Sequence, residues 1–410
     1  MPSFTGTTEE RGCDSSGVTM LRMTSSEYAL GQGTGPLKGI RVVELAGIGP
    51  GPHAAMHLAD LGADVVRIER PGGATSAGSR ETDLLSRGRP SVAMNLKDPR
   101  AVETVLDLVA TADVFLEGMR PGAAERLGLG PGDCHARNQR LVYGRMTGWG
   151  QDGPLAQTAG HDMNYIAISG ALHALGQTAG RPQFPSNLVG DFGGGSLYLV
   201  VGILAALLEA RVSGSGQVVD AAIVDGSAHL NAMYAGMVAG GNVGEERGAN
   251  LLDGGMPFYD IYETADGKHM AVAPLEPQFY AALLDGLGLT DVAPDRNDLA
   301  QHPALRSLLA GRFKEKTQQE WGSVFEGTDA CCTPILPLTE AAEHLHMSAR
   351  ETYVSPDGIL QPAPAPRFSR TRATLSTGPS RPGGQTRSAL VAWGIKDVDD
   401  LIESGTVIQT

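Results

Sequence analysis

The chain has 410 residues, 41% of them hydrophobic and 19% charged, which is enough apolar material for a large core and enough length for two domains. Its formal net charge of −14 argues against nucleic acid or an anionic membrane as partner, since both demand a basic footprint. Four cysteines without a CxxC pair or disulfide-like spacing point to a reducing compartment, with the cytoplasm as default and peroxisome or mitochondrion left open for a eukaryotic chain.

Residues 1–36 are polar and rich in Gly, Ser and Thr, lack an apolar signal-peptide core, and read as a disordered tail. Alternating strands and helices follow. "GIRVVELA" is a buried strand, "GIGPGP" a tight turn, "HAAMHLADLG" a helix ended by Gly62, and "ADVVRIERP" a second strand stopped by Pro71. "SVAMNL", then "DPRAVETVLDLVATA" with Asp98 as N-cap and Pro99 at its first position, then "DVFLEG", repeat the unit. "RLVYGRMTGWG" adds a strand ending in a glycine loop. Parallel strands with crossover helices predict an α/β, doubly wound, Rossmann-like fold. The first turn has G-x-G spacing, and Glu69 stands roughly 20 residues on, where a ribose-binding acid would sit. Pro52, however, replaces the third glycine, and two prolines withdraw amides that a pyrophosphate would use, so the stretch reads as a plain tight turn.

Past residue 156 the character changes. "HDMNYIAISGALHALG" reads as a helix, and "NLVGDFGGGS" as a glycine-rich turn feeding the apolar helix "LYLVVGILAALLEA". That run, residues 197–210, falls short of the roughly 18 to 20 apolar residues of a membrane span. "YDIYETADGKHMAVAPL" reads as a hairpin around Ala265-Asp266-Gly267 and predicts a separate α+β domain. "QPAPAPRFSRT" is a proline-rich connection, and the C-terminal stretch a last helical segment. The resulting plan is a tail (1–36), a large domain (37–220), a helical linker (221–254), a small α+β domain (255–345) and a returning segment (346–410). His344 and His346 share no helix face and lack a third ligand, so no metal site is expected. His53, His57 and His229 occupy core-like helical positions and receive no chemistry.

"AGHDMNY" sets His161 directly before Asp162, and adjacent residues do not face each other on a helix, so the two groups aim at different targets. Together with "GPLKGIRVVELAGIGPGPHAAMHLADLGADVVRIERP", "RPGAAERLGLG", "MTGWGQDGP", "GDFGGGS", "DGGMPFYDIYETADGKHMAV", "EPQFY" and "PAPRFSRT", this stretch closely resembles CoA-transferase family III, and within it the α-methylacyl-CoA racemases, over about residues 36–405. The resemblance implies an interlocked homodimer, an active site between the large domain of one chain and the small domain of the other, and an acyl-CoA thioester as substrate. CoA is then part of the substrate, and no separate cofactor is implied.

By the same resemblance, His161 and Asp191 are the two acid/base groups, and Glu276 in "LEPQFY" pairs with the histidine across the dimer. CoA would be held by Arg70, the turn Asn95, Leu96 and Lys97, Arg126, and the loop Gly160, Asp162, Met163, Asn164 and Tyr165. The family's transferases instead use an aspartate at the position of Asp162 as covalent nucleophile, which is the alternative reading. The chemistry of inversion asks for two groups, because a proton must leave one face of the α-carbon and another arrive on the opposite face. The amides of Gly193 and Gly194 are candidates to face the enolate oxygen, since glycine lets backbone approach a ligand closely. Met233 and Met237 suggest an adaptable acyl surface, with branched fatty, bile-acid, arylpropionyl and peptide-like acyl groups all open.

Overall fold

The computed structural model describes residues 27–73, 80–178 and 180–410. Its first half runs β1 (Arg41–Leu45), α1 (Pro50–Asp60), β2 (Asp64–Glu69), β3 (Ser91–Met94), α2 (Pro99–Val109), β4 (Val114–Glu117), α3 (Ala123–Arg126), α4 (Pro131–Arg137) and β5 (Val142–Thr147). Next come α5 (Asp162–Ile168), a π-helix (Leu188–Ser196), α6 (Leu197–Ser213), β6 (Val218–Ala222), α7 (Ile223–Leu230) and α8 (Ala232–Ala239). The small unit holds β7 (Asp260–Glu263), β8 (His269–Val272), α9 (Pro277–Leu287), α10 (His302–Phe313), α11 (Gln318–Phe325) and β9 (Cys332–Pro334). The chain closes with α12 (Leu338–Glu343), α13 (Leu345–Ala349), β10 (Tyr353–Val354), β11 (Gln361–Pro362), α14 (Thr386–Ala392), α15 (Val398–Glu403) and β12 (Val407–Ile408).

The large sheet has the order β12-β3-β2-β1-β4-β5-β6, parallel throughout except for β12, which pairs antiparallel with β3. Consecutive residues of each central strand serve opposite faces. Val42, Val65, Val114 and Val142 are in register and join the core beneath α1 and α6. Val43, Val66, Phe115 and Tyr143 join the core beneath α2 and α14. Helices cover both faces, so these strands read as unbroken apolar runs, as parallel strands should. Asp98 caps α2 as its sequence predicts, accepting from Arg100 N at 2.9 Å.

The small unit has its own core around Phe313 and Trp321. The predicted hairpin forms, with Asp260 opposite Val272 and Gly267 at φ 74° in the turn. β9 extends it to three strands.

Several expectations need correction. Residues 27–36, assigned to a disordered tail, are held: Gly31 N donates to Asp64 Oδ1 at 2.8 Å, Thr34 Oγ1 meets Thr374 Oγ1 at 2.7 Å, and Tyr28 packs on the core. Residues 1–26 of that tail lie outside the described residues. The glycine-rich "turn" is helical, and with α6 it forms a continuous 26-residue helix that holds an 18-residue stretch of mean hydropathy 1.7. Length and composition alone would let this helix cross a membrane, yet its inner face, Leu199, Ile203 and Ala206, is buried against the sheet. The helix expected over 161–176 stops at Ile168, where Gly170 turns to φ 87°. Within the stretch read as a helical linker, residues 223–230 form α7, which seats Gly226 and Ser227 on Gly194 of the π-helix. His229 is exposed rather than in the core, its Nδ1 2.7 Å from Tyr198 Oη.

Candidate active site

All parallel strands end on one edge of the sheet, and the strand order reverses there between β1 and β4, where doubly wound folds open a crevice. The turn after β1 places Gly49 at φ 67°, and a Cβ on it would stand 3.2 Å from Asp191 Oδ2. The stretch that reads as a plain tight turn therefore borders the acid. Glu69 is buried and bonded to Ser91 Oγ at 2.5 Å, so it is engaged within the sheet.

The π-helix supplies Asp191. Its wide turn brings the backbone of Gly190 so near α5 that a Cβ there would lie 2.8 Å from Asp162 Cγ. Asp191 N accordingly donates to Asp162 Oδ2 at 2.7 Å. Such π segments interrupt α-helices mostly where function needs a side chain re-aimed. Asp162 is only 7% exposed, and its Oδ1 is buried without a hydrogen-bond partner among the described residues. Asp162 thus faces inward and holds the backbone that carries Asp191.

His161 stands at the N-cap of α5 in extended conformation, φ −132° and ψ 173°. Asn164 Oδ1 accepts from His161 N at 3.1 Å, which satisfies the cap and leaves the imidazole exposed. Tyr165 Oη donates to Gly160 O, and its ring meets Trp149 edge-on at 4.8 Å. A Cβ at Gly148 would fall inside that ring, so the loop before His161 fits only with glycine there. Met163 is exposed beside the histidine.

Burial pushes the Asp191 carboxyl up from its ordinary range, and the Asp162 charge adds to that, while the Asn187 amide at 3.3 Å and the nearby His161 act the other way. Asp191 thus keeps its proton to higher pH than a solvated carboxyl. His161 and Asp191 form a pair with different surroundings, one open and one half-buried.

The expected CoA contacts sit on the same edge. Arg70 follows β2 and is exposed; Asn95, Leu96 and Lys97 form the turn after β3, where Asn95 Oδ1 accepts from Lys97 N at 3.2 Å. Arg126 is exposed at the end of α3. α3 is anchored by Arg145, whose Nη2 is 2.6 Å from Glu125 Oε1 and whose Nε is 3.1 Å from Glu117 Oε1. Gly194, a candidate for facing the enolate oxygen, is accounted for by packing: a Cβ there would lie 2.5 Å from Ser227 Oγ and 2.6 Å from Ser227 N. Gly193 is half-buried and packs less tightly than Gly194, with Leu188 O 3.1 Å and Leu230 Cδ1 3.5 Å from its Cβ position.

Glu276 is exposed at the N-cap of α9, and among the described residues it makes no hydrogen bond or ion pair with His161 of the same chain. Its loop is nonetheless fixed. Arg296 donates to Pro274 O at 3.0 Å and to Leu275 O at 2.9 Å, with its guanidinium 4.6 Å from the Tyr280 ring centroid and 4.9 Å from that of Phe258. Sequence reasoning misses Arg296, Arg145 and His53, because each acts on a neighbour distant in the chain.

Residues 37–386 match the model of CoA-transferase family III. The chain is 45% identical over 343 residues to the alpha-methylacyl-CoA racemase of Mus musculus, covering 83% of this chain and 88% of that protein. It is 30% identical over 399 residues to the succinyl-CoA:glutarate CoA-transferase of Mus musculus, covering 91% of each. Among solved structures, a CAIB/BAIF family protein from Brucella suis superposes with a TM-score of 0.76 at 26% identity, covering 87% of this chain and 98% of that one.

Proposed function

From the premise that the chain belongs to CoA-transferase family III, we propose that it is an isomerase that inverts the α-carbon of 2-methylacyl-CoA thioesters, with His161 and Asp191 as its two acid/base groups. One group takes the α-proton, the charge left behind spreads onto the thioester oxygen as an enolate, and the other group gives a proton to the opposite face. The likeness to a racemase at 45% identity supports this reading. The observation that carries it over CoA transfer is the burial of Asp162, since a covalent nucleophile must offer an oxygen to the thioester carbon, and Asp162 is 7% exposed with Oδ2 engaged by Asp191 N. Arg70, Lys97 and Arg126 line the edge where the CoA phosphates would lie. Exposed Ile48 precedes Gly49, whose Cβ position faces Asp191, and exposed Leu230 reaches Gly193, so both suit an apolar acyl chain.

Purified protein in deuterated water should place deuterium at the α-carbon of a 2-methylacyl-CoA with no carboxylic acid present. Absence of exchange, together with movement of CoA from one acid to another, would install the transferase reading instead.

The pH profile carries a second expectation. Asp191 must be ionised to remove a proton, so exchange of the isomer facing it should rise with pH through a midpoint above the ordinary carboxyl value. Asp162→Asn keeps an acceptor for Asp191 N and removes one negative charge, so this limb should move to lower pH. A limb that stays or moves up would show that Asp162 exerts no such field.

Assembly gives a third. On the family resemblance, we take the partner of His161 to be Glu276 of the partner subunit; among the described residues of one chain the two are not joined. Co-expressing a Glu276→Gln chain with a His161→Ala chain should then restore part of the activity, through heterodimers with one intact site and one doubly damaged site. A fully active monomer at assay concentration would refute the shared site.

A further inference from the structure

Behind Asp191, three elements meet on one histidine. His53, in the first turn of α1, stacks on Phe192, the residue after Asp191, with ring centroids 4.3 Å apart and planes at 23°. Its Nδ1 lies 2.7 Å from Ser196 Oγ, and the Ser196 hydroxyl donates to Phe192 O at 3.0 Å. A hydroxyl has one proton, and here it is spent on Phe192. Nδ1 must therefore carry the ring proton and donate it, leaving the lone pair on Nε2. Burial, followed by the neighbouring His57, Arg87 and Arg89, holds the ring's pKa down to about 4, so it stays neutral near pH 7. Ser196 is fully buried, which shelters the bridge from water.

The same first turn of α1 reaches the acid from its other side. His53 N donates to Gly49 O at 3.2 Å, and Gly49 is the residue whose open Cβ position faces Asp191 Oδ2 at 3.2 Å. Pro50 lies 3.3 Å from the Cβ position of Gly195. The start of α1 is thus laid flat along the π-helix turn from Asp191 to Ser196, with His53 as the fastening between them.

We infer that His53 is a positioning residue for Asp191: its ring, stacked on Phe192 and bonded to Ser196, fixes the π-helix turn that presents the Asp191 carboxyl to substrate. His53 itself does not touch the reacting atoms. The inference rests on the proposed two-base reading and adds to it the device that orients one base and leaves the other alone.

The test follows α-proton exchange in deuterated water separately from each isomer of a 2-methylacyl-CoA, with wild type and Asp191→Asn as references. His53→Phe keeps the ring and loses the donor; His53→Asn keeps a donor near the Nδ1 position and loses the ring; Ser196→Ala removes the bridge. In His53→Phe and Ser196→Ala, exchange of the isomer that Asp191→Asn silences should fall about five- to tenfold, the value of one well-placed hydrogen bond. Exchange of the other isomer should stay within about twofold of wild type. His53→Asn should recover part of the loss. A general loosening of the fold would lower both isomers together, so an equal fall, or no fall in either isomer, in variants whose thermal unfolding is intact overturns the inference. Should His53→Phe fail to fold, Ser196→Ala gives the same reading. A wild-type protein that exchanges neither isomer would overturn the two-base reading first and this inference with it, whereas normal wild-type exchange with symmetrical variants overturns the positioning role alone.

Discussion

His161→Ala should abolish inversion starting from either isomer, while leaving α-proton exchange alive in one of them. In a two-base site each group removes the proton from one stereoisomer and delivers it to the other, so the loss of one base stops the net reaction in both directions. The isomer whose proton faces Asp191 can still be deprotonated and reprotonated on the same face, returning unchanged but labelled. Asp191→Asn should give the mirror pattern, and because asparagine matches aspartate in shape, the contact with Gly49 is retained. The loss in inversion should reach about 10²-fold or more for each variant, equivalent to about 2.7 kcal/mol or more of transition-state stabilisation. Chiral analysis of the thioester combined with mass spectrometry of the α-position measures both quantities in one sample. If both variants inverted at near wild-type rates while Asp162→Ala alone ended turnover with CoA binding intact, Asp162 would be the chemical residue.

What could be read from the sequence follows a physical line. Val42 and Val43, Val65 and Val66, Val114 and Phe115 each send one side chain to either face of the sheet, and such doubly buried strands announce themselves as apolar runs between glycine and proline stops. The hairpin at Asp260 to Val272 was legible for the same reason, with Gly267 supplying the turn. β9 and β12 were not legible, because three and two residues are too few to show a period and their pairing is decided by distant partners. The π-helix departs from its local sequence signal for a sharper reason. Gly190, Gly193, Gly194 and Gly195 have the poorest helix propensity short of proline, and locally they spell a turn. Tertiary packing overrides that preference: without side chains they let Asp162, Ser227 and Pro50 come within reach, and no local signal reports such neighbours. His161, Asp191 and Glu276 are singled out by the resemblance rather than by any local signal, while His53 carries no such signal because its partners, Phe192 and Ser196, lie far along the chain.

The contact between α7 and the π-helix makes a last expectation about stability. Gly226 lies inside α7, and a Cβ built on it would fall onto the carbonyl oxygen of Gly194 and lie 2.7 Å from its carbonyl carbon. Two effects of Gly226→Ala oppose each other. Alanine is the better helix former by roughly 1 kcal/mol, which favours the variant. Overpacking a filled core costs about 1–3 kcal/mol, and here the atoms in the way are backbone, which cannot rotate aside as a side chain would. The clash should win, lowering the urea midpoint, and the π-helix has to shift to relieve it. Because Asp191 rides on that helix, activity should fall by more than the folded fraction accounts for. Gly311→Ala supplies the comparison, since Gly311 lies in α10, is exposed, and has nothing within 4 Å of its Cβ position. There only the propensity effect acts, and the variant should gain about 0.4–1 kcal/mol. Equal urea midpoints for the two variants would mean that α7 does not sit on Gly194 as closely as described, and with that the packing account of the glycine run around Asp191 would fall.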